Sequence, residues 1–432
     1  MEVSALCGPE IYYYDGEWGW GNEGCFKESA PGWLHVGSAS DSNLTGMRLR
    51  SLLMGTGLFL AASMIAGAEG EKEVFRKDIF TRNTDGYHTY RIPTMVVTAS
   101  GAVLVFVEGR KTHRRDHGDV DLLMKRSEDG GRTWSPQRLI HEEGGDALIR
   151  VGNPCPIVEK DGKTVHLLFT RNGPDCLFYT KSTDDGKSWT PFIRTSDDPS
   201  APEYEKSNFL SDFEGSRVGI GAGPVHGIHT SKGRLIAPSY IGRKLNGEGR
   251  GQSCIIYSDD RGKSWHAGGV IPWNPEFRHG ECTVVERSDG SLLMNMRTAT
   301  PGLYSYGYRL TSVSLDEGMT WSEPAVDKNL PCPACQGSML RFSGDEILFL
   351  NPAVNHRGGF SIWSRKRLTL RVSRDDGKSW VTSRIVNEGL SGYSDLAVGR
   401  NGHILALYEN GEKDYCEKIT FLEMKRSWLR NR

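Results

Sequence analysis

The chain has 432 residues, of which 37% are hydrophobic and 25% charged, and a formal charge of −1. It is long enough to bury a large core without disulfides, and this composition excludes wholesale disorder. The balanced charge gives no global field for nucleic acid or an anionic membrane, so a charged ligand must be met by a local cluster. The 52 glycines, 11 tryptophans and 15 tyrosines predict many tight turns between short strands.

Residues 47–68 show the three-part pattern of a secretory signal peptide. A short basic run starts at Met47, and an uncharged stretch rich in Leu, Met, Phe and Ala follows from Ser51 to Ile65. Ala66-Gly67-Ala68 then supplies the small residues that a signal peptidase reads. A buried helix and a signal anchor are the alternatives, although the apolar run is shorter than the ~20 residues that span a bilayer comfortably.

The position of this pattern predicts the domain organisation. We hypothesise that translation begins at Met47 and that residues 1–46 are an artefact of the assigned start or an unstructured extension. Residues 47–68 are then the signal peptide, and residues 69–432 form the folded domain. A signal peptide predicts a secreted or periplasmic protein, or a lysosomal one in a eukaryote.

The cysteines do not indicate a disulfide framework or a metal site. There are nine, and the two at Cys7 and Cys25 fall in the predicted extension, which leaves an odd number in the folded domain. Cys332-x-x-Cys335 is a single pair with no second Cys or His pair at zinc-finger spacing. We therefore expect buried thiols, with one disulfide left open, and no metal.

One octapeptide occurs five times along the chain. Its pattern is S-x-D-x-G-x-T/S-W, and the starts of successive copies are 55, 76, 56 and 59 residues apart. Its Ser and Asp side chains can accept backbone hydrogen bonds in a turn, its Gly supplies a positive φ, and its Trp covers the turn. A calcium loop is the alternative, but no Glu stands at the closing position of an EF-hand. We call these copies Asp boxes and predict structural hairpins at Ser127–Trp134, Ser182–Trp189, Ser258–Trp265, Ser314–Trp321 and Ser373–Trp380.

Repeats of ~55–60 residues with several short strands each are typical of a β-propeller. The residues that follow position 68 divide into six repeats of about 61, so six blades fit the spacing better than five or seven. The widest interval is expected to hold a long surface loop around residues 197–217. The sequence thus predicts an all-β, six-bladed β-propeller with five Asp-box hairpins and no long amphipathic helix.

Tyr90-Arg91-Ile92-Pro93 upstream of the five boxes resembles the exo-α-sialidases, or neuraminidases, of bacteria and animals. The resemblance covers essentially all of residues 75–425. It implies a six-bladed propeller with a site on its central face that recognises sialic acid, a sugar with a carboxylate on its anomeric carbon. A carboxylate at a concave site requires fixed cations, and arginine pairs with it through a planar fork that stays charged.

The resemblance implies three arginines that hold this carboxylate. Arg91 matches the first by its Arg-Ile-Pro setting, Arg297 matches the second in a strand-like run, and Arg365 matches the third. Arg357 and Arg367 are close alternatives to Arg365. A lone arginine is usually a solvated surface charge, but bidentate recognition of a carboxylate explains an arginine at position 91.

The segment that follows Glu108-Gly109-Arg110 matches the family's acid/base loop. The resemblance places Arg110 near C4 of the substrate and gives Asp116 the role of the acid/base. Asp119 and Asp121 are fallback candidates. The alternative is that these acids only balance neighbouring arginines on a solvated loop.

Two further motifs complete the implied site. Gly392-Tyr393-Ser394-Asp395 matches the family's tyrosine nucleophile, and Gly280-Glu281 matches the glutamate paired with it. A carboxylate nucleophile would be repelled by the substrate carboxylate, whereas a neutral phenol activated by a glutamate is not. Glu409 matches the glutamate that orients Arg91, because a buried arginine needs a partner.

These features predict a secreted exo-α-sialidase that retains the anomeric configuration. Its expected substrates are sialylated glycoproteins, glycolipids or oligosaccharides, with no cofactor, no nucleic acid and no stable membrane partner. A non-catalytic sialic-acid-binding propeller is one alternative. A trans-sialidase and a hydrolase of deaminated sialic acid are others. Linkage preference and oligomeric state are left open.

Overall fold

The computed structural model describes residues 11–14, 17–20, 73–173, 176–194, 219–245, 248–299 and 305–429. Within these ranges the regular structure consists of β-strands, apart from two short 3₁₀ helices at Ile362–Ser364 and Arg426–Leu429. No helix in the described part is long and apolar enough to cross a membrane. The predicted all-β class is thereby confirmed.

Two strands lie in the predicted extension, and they form a two-stranded sheet, β1 (Ile11–Tyr14) with β2 (Glu17–Trp20). The predicted signal peptide at residues 47–68 and most of the predicted loop at residues 197–217 lie outside the described residues. The predictions for those segments therefore stay predictions.

We call the described residues from position 73 onward the main unit. Its first two sheets have four antiparallel strands each, in sequence order. The first sheet contains β4 (Thr89–Val97), β5 (Val103–Arg110), β6 (Val120–Ser127) and β7 (Arg138–His141). The second sheet contains β8 (Val151–Val158), β9 (Val165–Arg171), β10 (Cys176–Ser182) and β11 (Ile193–Arg194).

The next two sheets repeat this plan. The third contains β12 (Gly219–Ala222), β13 (Ile228–His229), β14 (Leu235–Leu245), β15 (Glu248–Ser258) and β16 (His266–Val270), with β13 paired to β14. The fourth contains β17 (Arg278–Glu286), β18 (Leu292–Ala299), β19 (Gly307–Ser314) and β20 (Ala325–Cys332).

The fifth sheet has seven strands and joins the two ends of the main unit. It contains β21 (Ser338–Ser343), β22 (Glu346–Pro352), β23 (Lys366–Ser373), the 17-residue β24 (Thr382–Val398), β25 (Ile404–Gly411), β26 (Lys418–Met424) and β3 (Val74–Thr81). Its edge strand β3 comes from the start of the main unit and pairs with β26, the last strand of that unit.

The sheets pack side by side in a closed ring. Strand β4 contacts β8, β8 contacts β14, β14 contacts β17, β17 contacts β21, β21 contacts β24, and β24 contacts β4 again. Each neighbouring pair of sheets shares a buried apolar cluster, such as the one that packs Phe106 of β5 against Phe169 of β9 and Trp189. A closed ring of radially packed antiparallel sheets is a β-propeller.

The Asp boxes form the predicted hairpins. In the second box, Ser182 Oγ donates to Asp184 Oδ1 at 2.8 Å, and Ser182 Oγ accepts from Gly186 N at 2.9 Å. Ser188 N donates to Asp184 Oδ1 at 2.8 Å. The same three bonds recur in the other four boxes. Every bond lies within one octapeptide, so each hairpin is fixed locally.

The box glycines also set how neighbouring sheets fit together. A Cβ on Gly186 would lie 2.6 Å from Leu104 Cδ1 of the preceding sheet, and one on Gly131 would lie 2.2 Å from Phe421 Cε1. Both glycines have positive φ, 78° at Gly186 and 93° at Gly131. Glycine is therefore required both by the turn and by the close approach of the neighbouring sheet.

The strand order divides the propeller into two ends. Each box connects the third strand of its sheet to the fourth, as Ser127–Trp134 connects β6 to β7. Because neighbouring strands are antiparallel, the loops between second and third strands lie at the opposite end. We call the end that carries the boxes the box end.

Candidate active site

All eight predicted site residues lie at the end opposite the boxes, which we call the site end. Glu281 and Arg91 are near the starts of first strands, Tyr393 begins the second half of β24, and Asp116 is in the loop between β5 and β6. The other predicted residues end or flank strands at this same end: Arg110, Arg297, Arg365 and Glu409.

Four strands carry a bulge close to this end. The pairing register shifts near the start of β4, β8 and β17, and at the start of the second half of β24. A bulge adds one residue to a strand and re-aims the side chains around it. The shifted segments are Arg91–Thr94, Gly152–Cys155, His279–Cys282 and Ser391–Ser394.

The bulge in β4 is strained. Ile92 has φ 57°, an uncommon conformation for a β-branched residue. Such a backbone costs roughly 1–3 kcal/mol and persists where its surroundings fix it. Glu409 Oε1 accepts the Ile92 N–H at 2.9 Å, and the Ile92 side chain packs against Tyr393 and Cys335. The strain is therefore held in place by the residues of the site.

Glu409 joins two bulges and one arginine. Its Oε1 accepts from Arg91 Nε at 3.2 Å, and its Oε2 accepts from the Tyr393 backbone N–H at 3.0 Å. The side chain is fully buried. A Cβ on Gly392 would lie 2.1 Å from Glu409 Oε2, so only glycine leaves room for this carboxylate.

Tyr393, Glu281 and Arg297 form one hydrogen-bonded set. The Tyr393 hydroxyl donates to Glu281 Oε1, while Arg297 NH1 donates to Glu281 Oε2 and to the Tyr393 hydroxyl, both at 2.9 Å. Burial, followed by the negative charge of Glu281, raises the pKa of Tyr393 well above its ordinary value, and Arg297 only partly opposes this. The phenol is therefore neutral and hydrogen-bonded to a carboxylate that can take its proton.

Arg365 approaches the same tyrosine from another side. Its guanidinium carbon lies 5.7 Å from the Tyr393 ring centre and 5.0 Å from that of Tyr415. Arg91 lies 5.3 Å from both rings. The alternatives Arg357 and Arg367 are exposed on the surface, so the structure brings Arg365 to the site and leaves those two outside it.

Asp116 is held between two arginines. Its Oδ1 accepts from Arg110 NH2 at 2.5 Å and from Arg91 NH1 at 3.2 Å. Burial raises the pKa of Asp116, but Arg110 and Arg91 outweigh burial and hold the pKa well below its usual range. The fallback acids bond elsewhere: Asp119 pairs with Lys111 at 3.0 Å, and Asp121 accepts from the Tyr87 hydroxyl at 2.5 Å.

Three residues were missed from the sequence: Glu108 and Arg150 beside this loop, and Tyr415. Glu108 Oε2 accepts from Arg110 NH2 at 2.6 Å, and its Oε1 accepts from Arg150 NH2 at 2.8 Å and from Asn153 N at 3.1 Å. A charged residue inside the apolar run of β5 was an available signal, because a buried carboxylate requires partners. Tyr415, which packs against Arg91 and Arg365, carries no comparable signal.

The described residues contain no group of three or more His, Cys, Asp or Glu side chains placed to hold a metal ion. The seven described cysteines are buried, and no disulfide joins them. The cluster brings together arginines, carboxylates and one hydrogen-bonded phenol.

The fold and this cluster define an all-β propeller with an arginine-rich site at one end. A family model described as the BNR repeat-like domain matches residues 101–406, more than half of the chain. The chain belongs to this family.

Relatives of the chain are sialidases. It is 31% identical over 399 residues to a sialidase of Micromonospora viridifaciens, covering 85% of this chain and 57% of that protein. It is 28% identical over 396 residues to an exo-alpha-sialidase of Aspergillus fumigatus, covering 80% of this chain and 86% of that one. The chain thus spans less than two thirds of the Micromonospora protein and most of the Aspergillus protein.

Solved sialidase structures share the fold. Hadza microbial sialidase Hz136 matches with a TM-score of 0.65 and 25% identity, over 80% of this chain and 67% of that chain. Trypanosoma rangeli sialidase in complex with sialic acid matches with a TM-score of 0.62 and 22% identity, over 82% and 59% of the two chains.

Proposed function

We propose that this protein is an exo-α-sialidase that releases terminal α-linked sialic acids with retention of configuration. The observation that carries the proposal is the Tyr393 hydroxyl hydrogen-bonded to Glu281 and Arg297, with Arg91 and Arg365 against the same phenol ring. A phenol paired with a carboxylate among arginines suits attack on a carbon that already bears a carboxylate. The substrates are sialylated glycoproteins, glycolipids or oligosaccharides, and the reaction needs no cofactor.

In this mechanism Arg91, Arg297 and Arg365 hold the substrate carboxylate. Ion pairs join four arginines to four carboxylates: the arginines are Arg91, Arg110, Arg150 and Arg297, and the carboxylates are Glu108, Asp116, Glu281 and Glu409. Arg365 donates to the Ala334 carbonyl at 3.2 Å and packs against the Tyr393 ring. A substrate carboxylate that enters this cluster therefore meets fixed guanidinium groups.

The chemistry then proceeds in two steps. As the glycosidic C–O bond breaks, the Tyr393 oxygen bonds to the anomeric carbon, Glu281 takes the phenol proton, and Asp116 protonates the leaving oxygen. Water then attacks the same carbon and the bond between that carbon and the Tyr393 oxygen breaks, while Asp116 accepts a proton from the water and Glu281 returns its proton to the Tyr393 oxygen.

Asp116 can act as an acid only after it leaves Arg91. An acid must carry a proton near the working pH, and two arginines keep Asp116 ionised in the ligand-free site. The substrate carboxylate competes for the same Arg91 guanidinium. Displacement of Asp116 from Arg91 removes a neighbouring positive charge and raises the pKa of Asp116 toward its ordinary value.

We also propose that the propeller has six blades. The long strand β24 supports this number, because its first half pairs with β23 and its second half pairs with β25. The seven-stranded sheet then counts as two blades. An apolar cluster packs Leu348 and Leu370 of one half against Leu422 and Met424 of the other, as neighbouring blades do.

Secretion through a signal peptide at residues 47–68 is also part of the proposal, on the pattern of its sequence alone. N-terminal sequencing of protein exported by an expressing cell measures this directly. The expected first residue is Glu69, and a mature start well upstream of it would refute the signal peptide.

The activity is tested with the full-length chain and an α-sialoside that carries a fluorescent aglycone. Release of the aglycone is expected, and proton NMR should show the α-anomer of the free sugar first. Tyr393→Phe should lower kcat by at least ~10²-fold with an unchanged Tm. The matched control Tyr257→Phe, at a ring in β15 that stacks on Arg234, should keep its turnover.

Each alternative gives a different result in this assay. Binding of the sialoside without release would indicate a non-catalytic sialic-acid-binding propeller. Transfer of the sugar to an added galactoside would indicate a trans-sialidase, and faster release of a deaminated sialic acid would indicate a hydrolase of that sugar. Turnover at the wild-type rate in folded Tyr393→Phe would refute the nucleophile.

A further inference from the structure

Gln336 is a buried side chain that binds the backbone directly after the proposed nucleophile. Its Nε2 donates to the carbonyl of Ser394 at 3.0 Å, and its Oε1 accepts from the Ser394 N–H at 3.0 Å. Gln336 is 1% exposed, and Ser394 is fully buried. One amide thus fixes both polar groups of the residue that follows Tyr393.

The Ser394 backbone needs the Gln336 amide as a partner because it lies buried next to a bulge in β24. In its second half β24 pairs with β25, and Ser394 stands opposite Tyr408 after the bulge at Gly392 and Tyr393. Buried backbone N–H and C=O groups without partners are costly. The Gln336 amide bonds these two groups as a neighbouring strand would, at the point where the bulge has interrupted regular pairing.

The segment around Gln336 reaches other members of the site. The Ala334 carbonyl accepts from Arg365 NH2 at 3.2 Å, and Cys335 packs against Tyr393 and Ile92. Two residues after Gln336, Ser338 Oγ donates to Asp395 Oδ1 at 2.7 Å. Residues 334–338 therefore contact Tyr393, both residues that follow it and one arginine.

We propose that Gln336 is a positioning residue that holds the Tyr393 hydroxyl in line with Glu281 and the substrate. It acts through the Ser394 backbone and does not touch the reacting atoms. The Tyr393 hydroxyl lies at the far end of its side chain, so a small change in the backbone displaces it. Loss of both Gln336 hydrogen bonds permits such a change. A misplacement of ~1 Å costs about 10²-fold in rate. The inference rests on the proposed role of Tyr393 as nucleophile.

The kinetic test compares three variants of the full-length chain. Gln336→Ala should lower kcat by about 10²-fold and leave KM close to the wild-type value, because the arginines that bind substrate are untouched. Gln252→Ala is the matched control: this buried amide donates to the Ile271 carbonyl at 3.1 Å in the third sheet. It should keep the wild-type kcat.

Gln336→Glu adds a readout that a merely structural role would not move. A protonated glutamic acid can donate to the Ser394 carbonyl and accept from its N–H, whereas the carboxylate repels that carbonyl. Burial raises the pKa of such a glutamate, so the ratio of its kcat to wild-type kcat should increase as pH falls. The same ratio for Gln336→Ala should stay flat.

Hydrogen–deuterium exchange of the peptide that contains Ser394 tests, without any need for turnover, whether Gln336 holds this backbone. Faster exchange in Gln336→Ala than in wild type or Gln252→Ala is expected. Unchanged exchange, a wild-type kcat in folded Gln336→Ala, or equal losses in Gln252→Ala would each overturn the proposal. A wild-type protein that releases no sialic acid refutes the proposed function instead, and the exchange result still decides the role of Gln336.

Discussion

The box end and the site end belong to the same sheets, but their bonds have opposite ranges. In a box, the bonds join residues two to four positions apart, such as Ser182, Asp184 and Gly186. At the site end, Arg91 bonds to Glu409 across 318 positions, and Tyr393 bonds to Glu281 across 112. Each of the five boxes holds its own hairpin with the same three hydrogen bonds. The hydrogen bonds at the site end, in contrast, differ from one residue to the next.

This difference predicts how mutations divide. Local, repeated bonds contribute small and separate increments of stability, so damage to one box should lower Tm and leave the reaction alone. Long-range, unrepeated bonds set the geometry of one cluster, so damage there should change kcat or binding with little loss of Tm. The four predictions that follow test this division.

The largest effect is expected from Arg91→Lys. Lysine keeps the charge but loses the planar fork, and the loss of transition-state stabilisation should be ~2–4 kcal/mol. The control is Arg367→Lys, an exposed arginine 3.8 Å from Glu388, which should match wild type in kcat/KM. An equal loss for a substrate analogue that lacks the carboxylate would show that Arg91 supports only the fold.

Trp189→Ala should produce the largest loss of stability at the box end. The indole packs edge-on to Phe106 of the neighbouring sheet, with ring centres 5.7 Å apart. Emptying this volume should cost about 3 kcal/mol, measured by denaturant unfolding. Initial rates taken well below the melt should show an unchanged KM. A stable variant without turnover would contradict the separation of the two ends.

Asp116→Asn tests the competition for Arg91. A neutral amide competes less well than a carboxylate for the guanidinium, so free sialic acid should bind about tenfold more tightly, equivalent to ~1.4 kcal/mol. Calorimetry of the variant against wild type measures this. Asp119→Asn, in the same loop but paired with Lys111, should bind as wild type does. Weaker binding by Asp116→Asn would show that no displacement occurs.

The smallest effect is expected from Asp184→Ala, which removes a turn cap worth ~1 kcal/mol. Burial raises the pKa of Asp184, but hydrogen bonds from Ser188 and Ser182 outweigh burial and lower the pKa to about 2. The ordinary value is ~3.9, so this carboxylate stabilises the fold above about pH 4, and its contribution is lost as pH falls toward 2.

The Tm difference between wild type and Asp184→Ala should therefore shrink over that pH range. Thr183→Ala, at the exposed position beside Asp184, should leave Tm unchanged over the same pH range. A Tm difference that stays constant from about pH 5 to about pH 2 would contradict the proposed role of Asp184 as a turn cap.

The sequence predicted the boxes well because each hairpin depends on residues within one octapeptide. Arg91, Glu281 and Tyr393 were found by motif, but their meeting depends on bulges for which the sequence has no signal. Ile92 even adopts a positive φ, which propensity alone argues against in a β-branched residue.

The residues that the sequence did not reveal act through distant partners. Gln336 bonds a backbone 58 positions away, and Glu108 joins Arg110 to Arg150, which lies 42 positions away. The pairing of Asp116 with Arg91 was equally hidden, because a charged loop reads the same from sequence whether it is solvated or buried. Tertiary packing decides these contacts.

The proposed mechanism depends on a bond between the Tyr393 oxygen and the anomeric carbon. The most direct measurement is peptide mass mapping after incubation of the full-length chain with 2,3-difluorosialic acid. Fluoride is the leaving group at C2, and the fluorine at C3 slows hydrolysis of the sugar–enzyme bond because it destabilises the cationic transition state. One added sugar is expected on the peptide that contains Tyr393, and none in Tyr393→Phe. A sugar found on Glu281 or Asp116, or an unmodified protein that still turns over substrate, would contradict it.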